Sequence, residues 1–223
     1  MPSAARPALP APPDAILFDL DGTIIDSRVP FVTSLNYALA AHGLRQREPE
    51  EVLHYLGPPT HEAFTDMLGD DEQLVRDLVA TYRAHYAEHA TQTTTVYDGI
   101  PELLRHLHGR VPLAVATSKI VTSAVMLLEN LGLAGLFDVI SGPLPSAINE
   151  PKAVTVAQAL VALDAPPHAV MVGDRFYDVV GAREHGMPTI GVLWGAGSEQ
   201  ELRDADAAAI VAAPEEIPRL LGL

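Results

Sequence analysis

The chain contains no cysteine. Disulfides, thiol nucleophiles and cysteine-ligated zinc or iron–sulfur sites are therefore excluded. Lysine is nearly absent too: of 14 basic residues only Lys119 and Lys152 are lysine, the rest arginine. A position that keeps lysine against such a bias points to a need for a compact ammonium. Positive charge as a whole is scarce, with 14 basic against 29 acidic residues and a net charge of −15. That surface repels nucleic acid and anionic membrane, so neither is expected as a partner. An anionic substrate would need local positive charge from a metal, a few cations or helix N-termini. No apolar run approaches the roughly 18 residues that span a bilayer. The opening residues, Met1 to Asp14, lack the apolar segment of a secretion signal. Residues 1–13 read as a Pro/Ala-rich disordered leader, and the expected compartment is the cytoplasm.

What is present is core-forming. Hydrophobic residues make up 48% of the 223 residues, enough for one domain, or a core domain with a modest insert. Short apolar runs at Ala15–Phe18, Leu113–Ala116, Phe137–Ile140, Ala169–Val172 and Thr189–Leu193 read as strands buried on both faces. Helical patterns lie between them. Val121, Val125, Leu128 and Leu131 make one stripe before Gly132, and Val154, Ala157, Leu160 and Val161 make another. Alternating strands and helices predict an α/β fold with a parallel sheet and right-handed crossovers. Residues 26–95 carry no strand pattern. Phe31, Leu35, Ala38 and Leu39 form one helical stripe there, and Leu74, Leu78, Tyr82 and Tyr86 another. Such a stretch is too long for a loop and is expected to be an inserted helical domain. Residues 14–25 and 96–223 would form the core.

The polar residues worth attention sit where apolar runs stop. Asp19 and Asp21 end the first run, and Asp174 and Asp178 follow Ala169–Val172. Ligands of open α/β sheets bind beyond the carboxyl ends of the strands. If those two strands are neighbours, the carboxylates converge, and the cluster repels itself unless a hard cation sits in it. Magnesium suits an all-oxygen donor set of this kind. Thr117 and Ser118 end another strand and open a helix, which suits an anion. Lys152 opens the helix after the next strand and adds positive charge. Any one Asp at a strand end is more simply a cap or turn residue; all four together are not.

These residues carry a family resemblance. Phe18-Asp19-Leu20-Asp21-Gly22-Thr23 resembles the first motif of the haloacid dehalogenase superfamily of phosphatases, a strand followed by D-x-D-G-T. Thr117 matches its second motif, Lys152 its third, and Gly173-Asp174-Arg175-Phe176-Tyr177-Asp178 its fourth, G-D-x-x-x-D. Their order and the helical insert after the first motif match as well. Gly57-Pro58-Pro59, Tyr97–Pro101, Val115–Lys119 and Ile190–Ser198 are similar to the phosphoglycolate phosphatase-like group, with its 5′-nucleotidase-like branch. The chain departs from that pattern at Ile148-Asn149-Glu150-Pro151, before Lys152, and at Phe176-Tyr177.

The resemblance implies a Rossmann-like core under a helical cap and a Mg²⁺-dependent phosphatase. It implies Asp19 as nucleophile and Asp21 as general acid and base. Magnesium would be held by Asp19, the Asp21 carbonyl and Asp174, with Asp178 orienting a metal water or Lys152. Thr117 and the Ser118 amide would hold phosphate oxygens, and Thr23 would bond near the nucleophile loop. Arg83, among the cap tyrosines, would meet a carboxylate or second phosphate, although a solvated helix residue is an equal reading. The expected substrate is a small phosphorylated metabolite, either a phosphorylated acid or a nucleoside monophosphate, and the expected assembly is a monomer or homodimer. A phosphomutase of the same fold is an alternative. A different class has one motif: His85-Tyr86-Ala87-Glu88-His89 matches the H-x-x-E-H pattern of zinc peptidases.

Overall fold

The computed structural model describes residues 8–69, 71–147 and 150–223. The chain begins its sheet with β1 (Ala15–Phe18), makes the two-residue strand β2 (Ile25–Asp26), and enters four helices. These are α1 (Arg28–Ala41), α2 (Pro49–Val52), α3 (Thr60–Leu68) and α4 (Glu72–Thr93). It leaves them through β3 (Thr95–Val96), then runs α5 (Ile100–Leu107), β4 (Leu113–Ala116), α6 (Val121–Asn130), β5 (Val139–Ser141) and α7 (Lys152–Ala162). The remainder is β6 (Ala169–Gly173), α8 (Phe176–Arg183), β7 (Thr189–Val192), α9 (Glu199–Asp204), β8 (Ala209–Val211) and α10 (Glu216–Leu221).

Six strands form one parallel sheet in the order β5-β4-β1-β6-β7-β8. β1 lies at its centre, with Phe18 opposite Val115 on one side and Val172 on the other. All four β1 residues are fully buried, as expected of a continuous apolar run covered on both faces. From β1 the chain builds outward through β4 to β5, then crosses back to β6 on the opposite side. The ends of β1, β4 and β6 therefore meet at the point where the winding reverses, which is where such sheets bind ligands.

Insert and core join through an antiparallel ribbon in which Ile25 pairs with Val96 and Asp26 with Thr95. Both ends of the insert thus leave the core side by side. The insert packs α4 on α1 through Tyr82 and Phe31, whose rings meet edge to face at 6.1 Å. One continuous hydrophobic cluster runs from Phe18 and Val172 in the sheet to Phe64 and Tyr82 in the insert. No helix among the described residues is long and apolar enough to cross a membrane.

Several expectations need correction. On α7 the buried face is Ala153, Thr155, Val156 and Ala159, while Val154 and Val161 are exposed. β-branched residues at helical spacing occur there on the face that the sheet does not cover. The fifth strand starts at Val139, because Ala134–Leu136 forms a 3₁₀ turn and Phe137 packs edge-on against Phe18. β8 carries only an Ala-Ile-Val signal, too short to read, and is held by pairing with β7. Of the expected leader, residues 1–7 lie outside the described residues. Residues 8–13 are no free leader: Leu9 packs on the core and Pro13 is buried.

Candidate active site

The site grows out of the end of β1. The Asp19 amide donates to the Val172 carbonyl at 2.8 Å, so the ladder to β6 pins the residue beyond the strand. The chain then turns back on itself: the Ile24 and Ile25 amides both reach the Leu20 carbonyl, and the Gly22 amide reaches Ile25. Gly22 makes the turn possible. Its φ is +85°, and a Cβ there would lie 2.3 Å from Asp174 Oδ2. Backbone and carboxylate meet that closely because β1 and β6 are adjacent.

The carboxylates of Asp19, Asp174 and Asp178 come together, each within 4.8 Å of the others, and all are buried. Lys152, the first residue of α7, reaches this cluster from the side. Its ammonium donates to Asp19 and lies 2.8 Å from Asp178 Oδ1. The second oxygen of Asp178 accepts the Arg175 amide at 3.1 Å, so this carboxylate orients the lysine and closes the first turn of α8. Asp174 Oδ2 accepts the Ala196 amide at 2.7 Å, but its Oδ1 is buried with no hydrogen-bond partner. Three carboxylates thus face one ammonium. Burial pushes Asp19 up to about 7, with Asp178 and Asp21 adding to the rise and Lys152 opposing it. Asp174 is pushed well above the carboxylate range by burial, then by Asp178 and Asp19. An unpaired buried carboxylate oxygen in an all-oxygen, over-acidic cluster fits a hard divalent cation.

Asp21 faces elsewhere. Its side chain accepts from Ser27, at the start of the insert, and pairs with Lys119 at 3.1 Å. Only its backbone carbonyl remains for the cation expected at this site. Asp21 forms part of the wall of a cavity of about 350 Å³ between core and insert. Ser118 and Lys119 line it from the core, Arg83, Tyr86 and Pro58 from the insert. Thr117, at the end of β4, accepts the Lys119 amide on its hydroxyl oxygen at 3.1 Å, which leaves the hydroxyl proton free to donate.

Arg83 reaches across the cavity edge to the Pro145 carbonyl at 3.3 Å and has no carboxylate partner among the described residues. Burial lowers its pKa. Glu150 lines the same cavity, with one carboxylate oxygen buried and unpartnered. Thr23 is fully buried, outside the cavity lining, with Trp194 holding its carbonyl at 2.9 Å. In the sequence Tyr86 reads only as part of an apolar helical stripe, and Ser27 carries no signal of a place at the site. Ser27 lies six residues from Asp21, and only the turn between them brings the two into contact.

The family model for haloacid dehalogenase-like hydrolases matches residues 16–192. The chain belongs to that family. Among curated relatives of this chain, Tyrosine-protein kinase PtkA of Mycobacterium tuberculosis (strain ATCC 25618 / H37Rv) is 38% identical over 188 residues, 83% of this chain. The chain spans 64% of that relative's length. A 5′-nucleotidase of Pseudomonas aeruginosa is 36% identical over 84% of this chain and 86% of its own. Among solved structures, that of a predicted phosphatase from Clostridium acetobutylicum superposes with a TM-score of 0.90 at 33% identity, covering 96% of this chain and 100% of that one.

The zinc-peptidase reading is overturned. His85 and His89 stack on one another at 4.2 Å. His85 Nδ1 bonds the Ser34 hydroxyl and His89 Nδ1 the His85 carbonyl. Among the described residues the only group placed to hold a metal is Asp19, Asp174 and Asp178. Two half-buried histidines one turn apart, stacked on each other and with no third ligand among the described residues, do not make a zinc site.

Proposed function

We propose that this chain is a Mg²⁺-dependent phosphomonoesterase of the cytoplasm, acting through an aspartyl-phosphate on a small phosphorylated metabolite of the phosphoglycolate class. The observation that carries the reading is the buried group of Asp19, Asp174 and Asp178 with Lys152, beside a cavity between core and insert that Asp21 lines. Asp19 and Asp174 would hold the cation with the Asp21 carbonyl, and the cation would neutralise charge on nucleophile and phosphate.

In this reading Asp19 attacks phosphorus. Lys152 offsets the negative charge that otherwise opposes a carboxylate approaching a phosphate. Thr117 donates its free hydroxyl proton to a phosphate oxygen, and Ser118 lies beside it. Asp21 protonates the leaving oxygen and then takes a proton from the water that cleaves the aspartyl-phosphate. Pro58, Arg83 and Tyr86 of the insert wall the cavity, which limits the access of bulk water and favours a compact leaving group. Arg83, half-buried with no acidic partner among the described residues, favours a leaving group that carries a carboxylate. Glu150 in the same wall disfavours a large polyanion.

A second reading, a 5′-nucleotidase, draws on the Pseudomonas relative. A panel of phosphomonoesters with Mg²⁺, comparing kcat/KM, separates the two. The reading expects 2-phosphoglycolate and similar acids to outrank nucleoside monophosphates. The opposite ranking would move the assignment to the nucleotidase, and no hydrolysis of any ester would overturn both.

A further inference from the structure

Two charged side chains in the wall of the cavity have no charged partner among the described residues. Arg83, on α4, is half-buried, and its guanidinium donates to the Pro145 carbonyl at 3.3 Å and the Ala147 carbonyl at 3.5 Å. Its other three N–H groups have no partner among the described residues. Glu150 lies three residues beyond Ala147 and lines the same cavity. Its Oε1 is shut off from water and has no hydrogen-bond partner among the described residues. The other two charged side chains of the wall, Asp21 and Lys119, pair with each other at 3.1 Å. A buried acceptor without a donor costs free energy, and so does a guanidinium withdrawn from water. A ligand that answers both would relieve both costs.

Resting on the phosphatase reading above, we propose that the cavity takes a zwitterionic leaving group: the substrate is a phosphomonoester of a small hydroxy amino acid, its carboxylate met by Arg83 and its ammonium by Glu150. Charge balance selects this class. A leaving group with a carboxylate alone pairs Arg83 and leaves Glu150 beside it, buried and repelling. One with an ammonium alone pairs Glu150 and leaves Arg83 unmatched. Only a group that carries both leaves no wall charge unpaired. Glu150 also stands two residues before Lys152, inside the segment where the chain departs from the phosphoglycolate phosphatase-like pattern. A carboxylate there opposes an incoming phosphate unless the substrate brings its own cation. Hydrolysis breaks the P–O ester bond, and water supplies the new phosphate oxygen and the proton of the released hydroxyl.

Three esters separate the two charges. Racemic O-phosphoserine carries both, racemic 3-phosphoglycerate replaces the ammonium by a hydroxyl, and O-phosphoethanolamine lacks the carboxylate. Among phosphorylated acids, wild type should favour O-phosphoserine over 3-phosphoglycerate by about 100-fold in kcat/KM, and over O-phosphoethanolamine by a similar factor. Glu150→Gln should cut the first preference at least about 10-fold and leave the second nearly intact; Arg83→Met should do the reverse. Each comparison is a ratio within one protein, so any loss of folded protein cancels. A wild type that hydrolyses 3-phosphoglycerate as well as O-phosphoserine, or ratios that neither substitution moves, would overturn the proposal. So would a Glu150→Gln protein improved on every acid alike, since Glu150 would then only oppose Arg83.

Calorimetric titration gives a reading that needs no turnover. O-phosphoserine is titrated in Mg²⁺ buffer into Asp19→Asn and into the Asp19→Asn, Glu150→Gln double variant, and the second should bind at least about 10-fold more weakly. No binding to the first, or equal affinity for both, would overturn the zwitterion site. A wild-type protein inert toward every ester would instead overturn the phosphatase reading, and the titration would still decide the site.

Discussion

Replacing Lys152 by methionine removes one charge and little else. The stem runs over Gly181, where an added Cβ would come within 2.9 Å of Lys152 Cγ, so a side chain of the same length keeps that packing. The lost ammonium leaves Asp19 and Asp178, 7% and 2% exposed, without their shared partner. Removing one member of a buried pair ordinarily costs about 3–5 kcal/mol. Here the folded protein has an escape. Asp19 already sits at about 7, and losing Lys152, the chief group that lowers it, pushes it higher. The carboxyl takes up a proton, which spares part of the stability and removes the nucleophile.

By comparison with lost electrostatic donors at other active sites, kcat/KM at neutral pH should fall about 10²–10³-fold. Without metal, Asp19 is protonated at low pH, so Lys152→Met should lose less stability at about pH 6 than at about pH 9. The assay is kcat/KM at neutral pH with saturating Mg²⁺, beside thermal melts of the metal-free protein across that range. A loss in kcat/KM under about fivefold, or a stability deficit that does not grow with pH, would refute the role given to Lys152.

Asp19→Asn should lower turnover by several powers of ten, and acid quenching with labelled substrate should trap no phosphoprotein; near-normal turnover would exclude Asp19 as nucleophile. Gly22→Ala forces a left-handed φ on a residue with a Cβ, about 1–2 kcal/mol of strain, and drives that Cβ into Asp174. Calorimetry should show Mg²⁺ binding weakened far more than the melting temperature is lowered. In metal-free protein the folded state keeps the Asp19 proton between about pH 4 and about pH 7, where the unfolded chain has released it, so stability falls as pH rises through that window. Mg²⁺ should therefore raise Tm more at about pH 8 than at about pH 5, and equal shifts would count against the three-carboxylate site.

Much of the frame was legible because it rests on local pattern. A strand covered on both faces must be apolar throughout, so Ala15–Phe18 and Leu113–Ala116 stood out with their observed limits. A polar residue at the end of such a run is pushed to the sheet edge, which marked Asp19 and Asp174. The stripes of α1 and α4 were readable because each buries one face only. Tertiary structure alone decided direction and partnership. Strand order put Asp19 beside Asp174, since β1 pairs with β6 across some 150 residues of chain. The buried face of α7 could not be read, because Ala153, Thr155 and Ala159 lie beside Val156 on its inner side while Val154 and Val161 lie outside. Lys119 and Asp21 are equally polar in any window of sequence. Which oxygen meets which ammonium depends on helix α4, which brings Tyr86 down onto them from a segment that shares no pattern with either.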